Sequence, residues 1–434
     1  MKWVRWSVVC AAAALAACAT YTPDGKRLPD APRFLFWSAT EQPLGYRFIE
    51  RIFPTSDVER GHTVSTLPLR LMKYDVRHLY KGEFWNTDRF MKANRVAGLL
   101  VLKDGHIALE RYAMGLTSTD RWESFSVTKS ITSTLIGAAI ADGYIHSLDD
   151  KVSRYLPELE GSVYDDVTIR DLITMTSGVK WSERYTDPNS DVAKFSQLIY
   201  EFSSSPELRY MAKLERAHPP GKVFNYNTGE TSLAGFLVER AVHKPLAQYL
   251  SEKIWKTIGA GRDAVWMDDI RGHEIGGCCL SMTLRDAGRL GQFILDGGEG
   301  VLPKDWVKEA TSKHIDSDNG RLGYGYMWWT RPDGTFAALG FFGQMIYIDP
   351  KNKIVIVTDC AWRQAADMKA FDVLEAYIAA ITKTLTAEPS KARVSGLSHL
   401  KPHIFPLPFR GRGQGEGVAP QAEASRPAAV LLSN

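Results

Sequence analysis

Two apolar runs near residue 100 and three beyond residue 335 bracket a block of helical periodicity. That order restricts the fold more than any single residue does. Ala97 to Lys103 reads as a strand, Asp104-Gly105 as a turn and Ile107 to Tyr112 as a second strand, together a hairpin signature. Thr335 to Leu339, Met345 to Asp349 and Ile354 to Asp359 read as three more strands, the last two joined by the turn Pro350-Lys351-Asn352-Lys353. Between the two groups, helices are predicted over Ser130 to Asp142, with Ile131, Leu135 and Ala138/Ala139 on one face, and over Ile169 to Thr176, Thr231 to Ala241 and Arg285 to Leu295. Tyr185 to Arg216 has no clean pattern beyond a helical stretch near Val192 to Phe202 and reads as a covering segment. A last amphipathic helix is predicted over about Phe371 to Thr384. Strands at both ends of a helical block predict an α+β body in which the two ends share one antiparallel sheet. With 434 residues, 44% of them hydrophobic, the chain can bury one large core or two ordinary ones.

Both termini read as something other than core. Lys2 and Arg5 precede an apolar run from Ser7 to Ala17, too short to span a bilayer, and the run closes on Leu15-Ala16-Ala17-Cys18. Residues 1–17 are therefore expected to be a secretory signal. The Leu-Ala-Ala-Cys text resembles the bacterial lipobox, which implies lipidation of Cys18 and a periplasm-facing lipoprotein, with Ala19 pointing to the outer membrane. Residues 18–85, rich in Pro and Arg, read as a tether and irregular extension; 386–434, rich in Pro, Gly, Arg and Ala, read as a disordered tail. This leaves 86–385 as the folded domain. Loss of Lys2 and Arg5 takes the formal charge from 53 − 50 = +3 to 51 − 50 = +1, so nothing suggests a nucleic-acid partner. Cys278 and Cys279, being adjacent, read as poorly placed to bridge each other; a disulfide from either to Cys360 and buried free thiols both stay open. No Cys/His spacing reads as a metal site, and neither a metal nor a cofactor is expected.

Ser126-Val127-Thr128-Lys129 stands where a strand-like segment, Trp122 to Phe125, gives way to a helix. A serine in the first helical turn has a free backbone N–H at the positive end of the dipole, and a lysine three residues on falls on the same face. Nucleophile, base and one oxyanion donor can come from one turn of backbone. The pattern alone is weak, since Ser177-Gly178-Val179-Lys180 and Ser398-His399-Leu400-Lys401 also match it.

The flanking text discriminates. Phe125 to Gly143, Leu148-Asp149-Asp150-Lys151-Val152-Ser153-Arg154-Tyr155-Leu156-Pro157-Glu158 and Thr168-Ile169-Arg170-Asp171-Leu172 through Gly178 resemble the serine β-lactamase and penicillin-binding-protein superfamily over about residues 95 to 385. The resemblance implies the β-lactamase/transpeptidase-like fold, an antiparallel sheet flanked by helices with an inserted helical domain. It also implies a serine hydrolase with Ser126 as nucleophile. The family's Tyr-x-Asn element corresponds to Tyr226-Asn227-Thr228, approached through Pro220-Gly221; Asn227 and Glu230 resemble a capping box that would hold Tyr226 in the loop before the next helix. Tyrosine and lysine have similar free pKa values, so either a phenolate beside an ammonium or a neutral lysine can take the serine proton. Gly340-Phe341-Phe342-Gly343-Gln344 aligns with the family's third element on a strand lining the cleft. There Gly343 would permit close approach of substrate, and the backbone N–H of Gln344 would oppose that of Ser126 in an oxyanion hole.

Two departures bear on substrate. Thr228 replaces the family asparagine, and Phe341 stands where a Lys or His is expected to bind a substrate carboxylate. Both point toward a less anionic ester or amide, as in the esterase and 6-aminohexanoate-oligomer hydrolase members that Phe224 to Thr231 most resembles. Trp181 is a further candidate for the pocket wall, with Tyr185, Trp328 and Trp329 behind it. The alternatives are a β-lactamase or D-Ala-D-Ala carboxypeptidase, and a non-catalytic envelope binding protein that keeps the fold. The complete Ser126, Lys129 and Tyr226 set argues against the last.

Overall fold

The computed structural model describes residues 21–387 except 74, 299, 318 and 319. The expected hairpin is β4 (Val96–Lys103) and β5 (His106–Tyr112), after β1 (Thr55–Val58), β2 (Arg77–Tyr80) and β3 (Glu83–Asn86). Asp104 and Gly105 both take positive φ, as a tight two-residue turn requires. β6 (Arg121–Glu123) leads into helix α1 (Val127–Ala141). The helical block then carries α2 (Thr228–Val242), β7 (Ala264–Met267), β8 (Leu280–Thr283) and α3 (Leu284–Leu295). The chain closes through β9 (Ile315–Asp316), β10 (Gly323–Tyr324), β11 (Trp329–Thr330), β12 (Phe336–Leu339), β13 (Met345–Asp349), β14 (Ile354–Cys360) and α4 (Met368–Thr386).

The two ends do share a sheet. Its eight strands run β5-β4-β14-β13-β12-β11-β10-β9, every pair antiparallel, with β4 from the N-terminal part against β14 from the C-terminal part. Side chains alternate across the pleat, so Leu100, Leu102, Ile346, Val355 and Val357 face the helical block while Leu99, Val101, Tyr347 and Ile356 face α4. Burial on both faces explains why these strands read as continuous apolar runs. Gly288 and Gly291 let α3 settle on the sheet: a Cβ at Gly291 would meet Ile346 at 2.9 Å. A second sheet, β1-β7-β8-β6, lies under the start of α1.

Residues 21–85 depart from the tether expected there. β1 pairs with β7 from Thr55↔Met267 to Val58↔Ala264, and Trp37, Tyr46, Ile49 and Phe53 are buried in the core. Phe34 stacks on Phe125 with centroids 5.0 Å apart, and Tyr46 meets Phe125 edge-on at 5.1 Å. These aromatics come without periodicity, which is why no pattern in the sequence announces them. The signal segment 1–17, Cys18, the tail beyond Ala387 and the decoy Ser398 lie outside the described residues. Among the described residues no helix is long and apolar enough to cross a membrane.

A second expectation fails at the cysteines. Cys278 and Cys279 are paired as a disulfide, while Cys360 is free and buried, its thiol pushed up by burial. Cys279 takes φ +84°, an uncommon conformation for a residue with a Cβ.

Candidate active site

Phe125 precedes the helix with φ +49°, an uncommon conformation for a bulky residue. It is held from both sides. Its N–H donates to Glu123 Oε1 at 2.7 Å, its ring is packed by Phe34 and Tyr46, and Ser281 Oγ fixes the other carboxylate oxygen at 2.8 Å. Burial raises the Glu123 carboxyl to about 7. This turn delivers Ser126 to the N-cap of α1, where its hydroxyl makes no capping bond and lines the same cavity as Tyr226.

α1 is buried almost all round, so its polar residues must find partners inside. Thr132 Oγ1 donates to the Gly276 carbonyl at 2.7 Å, and Lys129 Nζ donates to the Gly277 carbonyl at 2.6 Å. Lys129 is only 1% exposed, and its Nζ sits 5.4 Å from the centre of the Tyr226 ring. Burial lowers its pKa to about 8, while the charge of Glu183 opposes that shift. Tyr226 is pushed above the ordinary tyrosine range by burial, with the nearby Ser126 hydroxyl opposing and Glu183 adding to the rise. Its ring stacks on Trp329 with centroids 5.8 Å apart. Asn227 caps α2, its Oδ1 accepting the Glu230 N–H at 3.0 Å. The reciprocal half of the expected capping box is missing, because the Glu230 side chain turns inward to Ser177 and Tyr164.

Ser126, Tyr226, Phe341, Gly343 and Gln344 all line one cavity of about 850 Å³. Phe341 to Gly343 form a 3-10 turn between β12 and β13 and not the expected strand. Gly343 has φ +92°, and a Cβ there would fall 2.6 Å from Trp362 Nε1 and 2.8 Å from Cys360 Cβ, so the approach that demands glycine is that of Trp362 as well as of any substrate. The Gln344 side chain pins the turn: Nε2 donates to the carbonyls of Cys360 at 2.8 Å and Phe341 at 3.1 Å, and Oε1 accepts from Cys360 N and Trp122 Nε1.

Trp181 and Thr228 do not line the cavity. Both turn to Glu183, a residue the sequence reading did not single out. Its carboxylate accepts four hydrogen bonds, from Trp181 Nε1, Tyr185 Oη (2.6 Å), the Thr228 hydroxyl and the Thr228 N–H (3.1 Å). Tyr185 in turn meets Phe341 edge-on with centroids 4.7 Å apart. A glutamate in a segment without periodicity carries no signal until the fold brings these donors around it. Glu123, Cys278 and Cys279 cluster closely, but the sulfurs bond each other and the carboxylate is occupied by Phe125 and Ser281.

A protein-family model described as Beta-lactamase matches residues 86–367. The chain belongs to the beta-lactamase family. It is similar to the 6-aminohexanoate-dimer hydrolase of Paenarthrobacter ureafaciens, 29% identical over 283 residues that make up 61% of this chain and 72% of that protein. A solved structure from Bacillus anthracis, assigned as a 6-aminohexanoate-dimer hydrolase, superposes with a TM-score of 0.72 at 23% identity, covering 82% of this chain and 98% of that one. EstCE1, a hydrolase with promiscuous acyltransferase activity, superposes with a TM-score of 0.56 at 18% identity, covering 67% and 96%. At these identities the two structures speak to the fold, and they bear out the expected β-lactamase/transpeptidase-like architecture. In this beta-lactamase-family hydrolase, Ser126 stands at the junction of β6 and α1, Lys129 in the first turn of α1 and Tyr226 in the loop before α2.

Proposed function

We propose that this protein hydrolyses ester or amide bonds through an acyl-enzyme on Ser126. The observation that carries the reading is that Ser126 and Tyr226 line one cavity while the buried Lys129 Nζ lies 5.4 Å from the centre of the Tyr226 ring. Ser126 Oγ attacks the substrate carbonyl carbon as its proton passes to the Lys129/Tyr226 pair. With a pKa of about 8, roughly one Lys129 in ten is neutral at pH 7, enough for it to serve as base. The backbone N–H groups of Ser126 and Gln344 are assigned to the oxyanion. Tyr226 then gives the proton to the departing alkoxide or amine. Water attacks the ester of Ser126, loses its proton to Tyr226, and the acid leaves as the serine hydroxyl re-forms. The two groups titrate as a pair, so the proton belongs to the pair and not to one residue.

The apolar Phe341 beside Tyr185 supports esters and amides over carboxylate-bearing β-lactams or peptidoglycan termini. Turnover of p-nitrophenyl acyl esters, linear amides and a chromogenic cephalosporin, with Ser126→Ala as control, tests this. Esters or amides should be cleaved and the cephalosporin spared; fast cephalosporin turnover would reverse the assignment. Equal labelling of wild type and Ser126→Ala by a fluorophosphonate would remove Ser126 as nucleophile. We further propose, from the Leu-Ala-Ala-Cys text, that the mature chain is lipidated at Cys18 and held in the cell envelope. Palmitate labelling that survives Cys18→Ala would refute it.

A further inference from the structure

We propose that Leu35, Phe36, Leu339, Met368, Phe371 and Leu374 form an apolar arm of the active-site cavity, and that the ester or amide the protein prefers carries an extended aliphatic chain seated in it. This rests on the Ser126 reading and names the substrate class of the same site. All six residues line the cavity that holds Ser126 and Tyr226. Five of the six lie outside residues 86–367, so this wall is built from segments beyond the family-matched part.

The wall is fixed in place and still open to a ligand. Arg95 binds the carbonyls of Ala39 (2.6 Å) and Ala361, and Gln42 Nε2 donates to the Trp362 carbonyl at 3.1 Å. Those bonds tie the segment after Trp37 to the loop between β14 and α4. The same loop is joined to the Phe341–Gly343 turn by Phe342 N to Ala365 O at 2.9 Å and Trp362 N to Phe342 O at 3.1 Å. Yet Phe36 is 60% exposed and Met368 48%. Large apolar side chains held at a catalytic cavity but left uncovered mark a binding surface. Charge near this arm comes from exposed Arg363, from the Asp367 carboxylate, which accepts from Lys369 N and Ala370 N at 3.0 Å each, and from Arg321, whose guanidinium lies 5.8 Å from the Phe371 ring centre and pairs with Asp372 at 3.0 Å. About 850 Å³ is far more space than the scissile group alone occupies.

The test uses the full chain and two ester series, p-nitrophenyl acyl esters of two to twelve carbons and acetates of n-alkyl alcohols over the same range. In one series kcat/KM should climb by up to about fourfold per added methylene while the arm fills. Phe36→Ala and Met368→Ala are both solvent-exposed changes; each should flatten the climb, lowering kcat/KM for the twelve-carbon ester at least about tenfold more than for the two-carbon ester. Wild-type profiles that are flat in both series, or a climb that both variants retain, overturn the arm while leaving the Ser126 chemistry intact. If no ester is cleaved at all, the function falls separately. The arm is then read by displacement of Nile red with n-alcohols: tighter binding of longer alcohols, lost in Phe36→Ala, upholds it, and chain-length-independent displacement refutes it.

Discussion

Glu183→Gln separates charge from geometry at this site. The glutamate does two things at once: four hydrogen bonds tie Trp181, Tyr185 and Thr228 together, and its negative charge acts on both Lys129 and Tyr226. Lys129 already titrates at about 8 against an ordinary 10.5, a gap worth ~3 kcal/mol between its protonation states. Burial makes that gap and Glu183 narrows it, so removing the charge should lower the lysine further, by about one pH unit for a close but partly exposed partner. Whichever protonation state of Lys129 is active, the limb of the kcat/KM profile that reports it should move to lower pH. The amide can accept at only one end, so up to two of the four donors lose their acceptor, at ~1–3 kcal/mol each. Melting temperature should therefore fall as well. Thr228→Val and Tyr185→Phe provide the control, since each strips hydrogen bonds from the carboxylate and keeps its charge. Stopped-flow ester hydrolysis from pH 5 to 10 reads the limb. A Glu183→Gln profile that superposes on wild type, or a shift of equal size in Thr228→Val, would refute the electrostatic role.

Phe341→Lys should improve kcat/KM for carboxylate-bearing esters by about tenfold or more, the worth of one charged hydrogen bond, with little gain for their neutral counterparts; an equal effect on both would break the link between this position and substrate charge. Gly343→Ala should cost about 2–4 kcal/mol in urea unfolding, from the clash with Trp362 and the φ of +92°, and should weaken activity because Gln344 follows directly. Glu230 is wholly buried and raised to about 8. Between its ordinary 4.5 and that value the folded protein keeps a proton the unfolded chain has released, so stability falls as pH rises through the window. Glu230→Gln should make the melting temperature less pH-dependent between pH 5 and 8, as scanning calorimetry would show, and an unchanged slope would exclude Glu230 as a contributor.

The strands were legible because burial on both faces of β4, β13 and β14 demands unbroken apolar runs, and their position at the two ends of a helical block demands one shared sheet. The proposed nucleophile could be singled out from the sequence because Ser126, Lys129 and the free helix N-terminus lie within one turn of backbone, so their spacing in the chain is their spacing in space. Tyr226 was recognisable only through its flanking motif, and the Asn227 cap explains why it stays in a loop. Other features depend on contacts between residues far apart in sequence. The four donors that converge on Glu183, the carbonyl of Gly277 that takes the Lys129 ammonium, and the stacking of Phe34 on Phe125 have no local signature. Phe341 shows the division most plainly. The sequence by itself determined that no cation stands at that position; only the tertiary structure decided what shares the cavity with it, because Leu35 and Phe36 from one end of the chain and Phe371 and Leu374 from the other come to line the same space when both ends build one sheet.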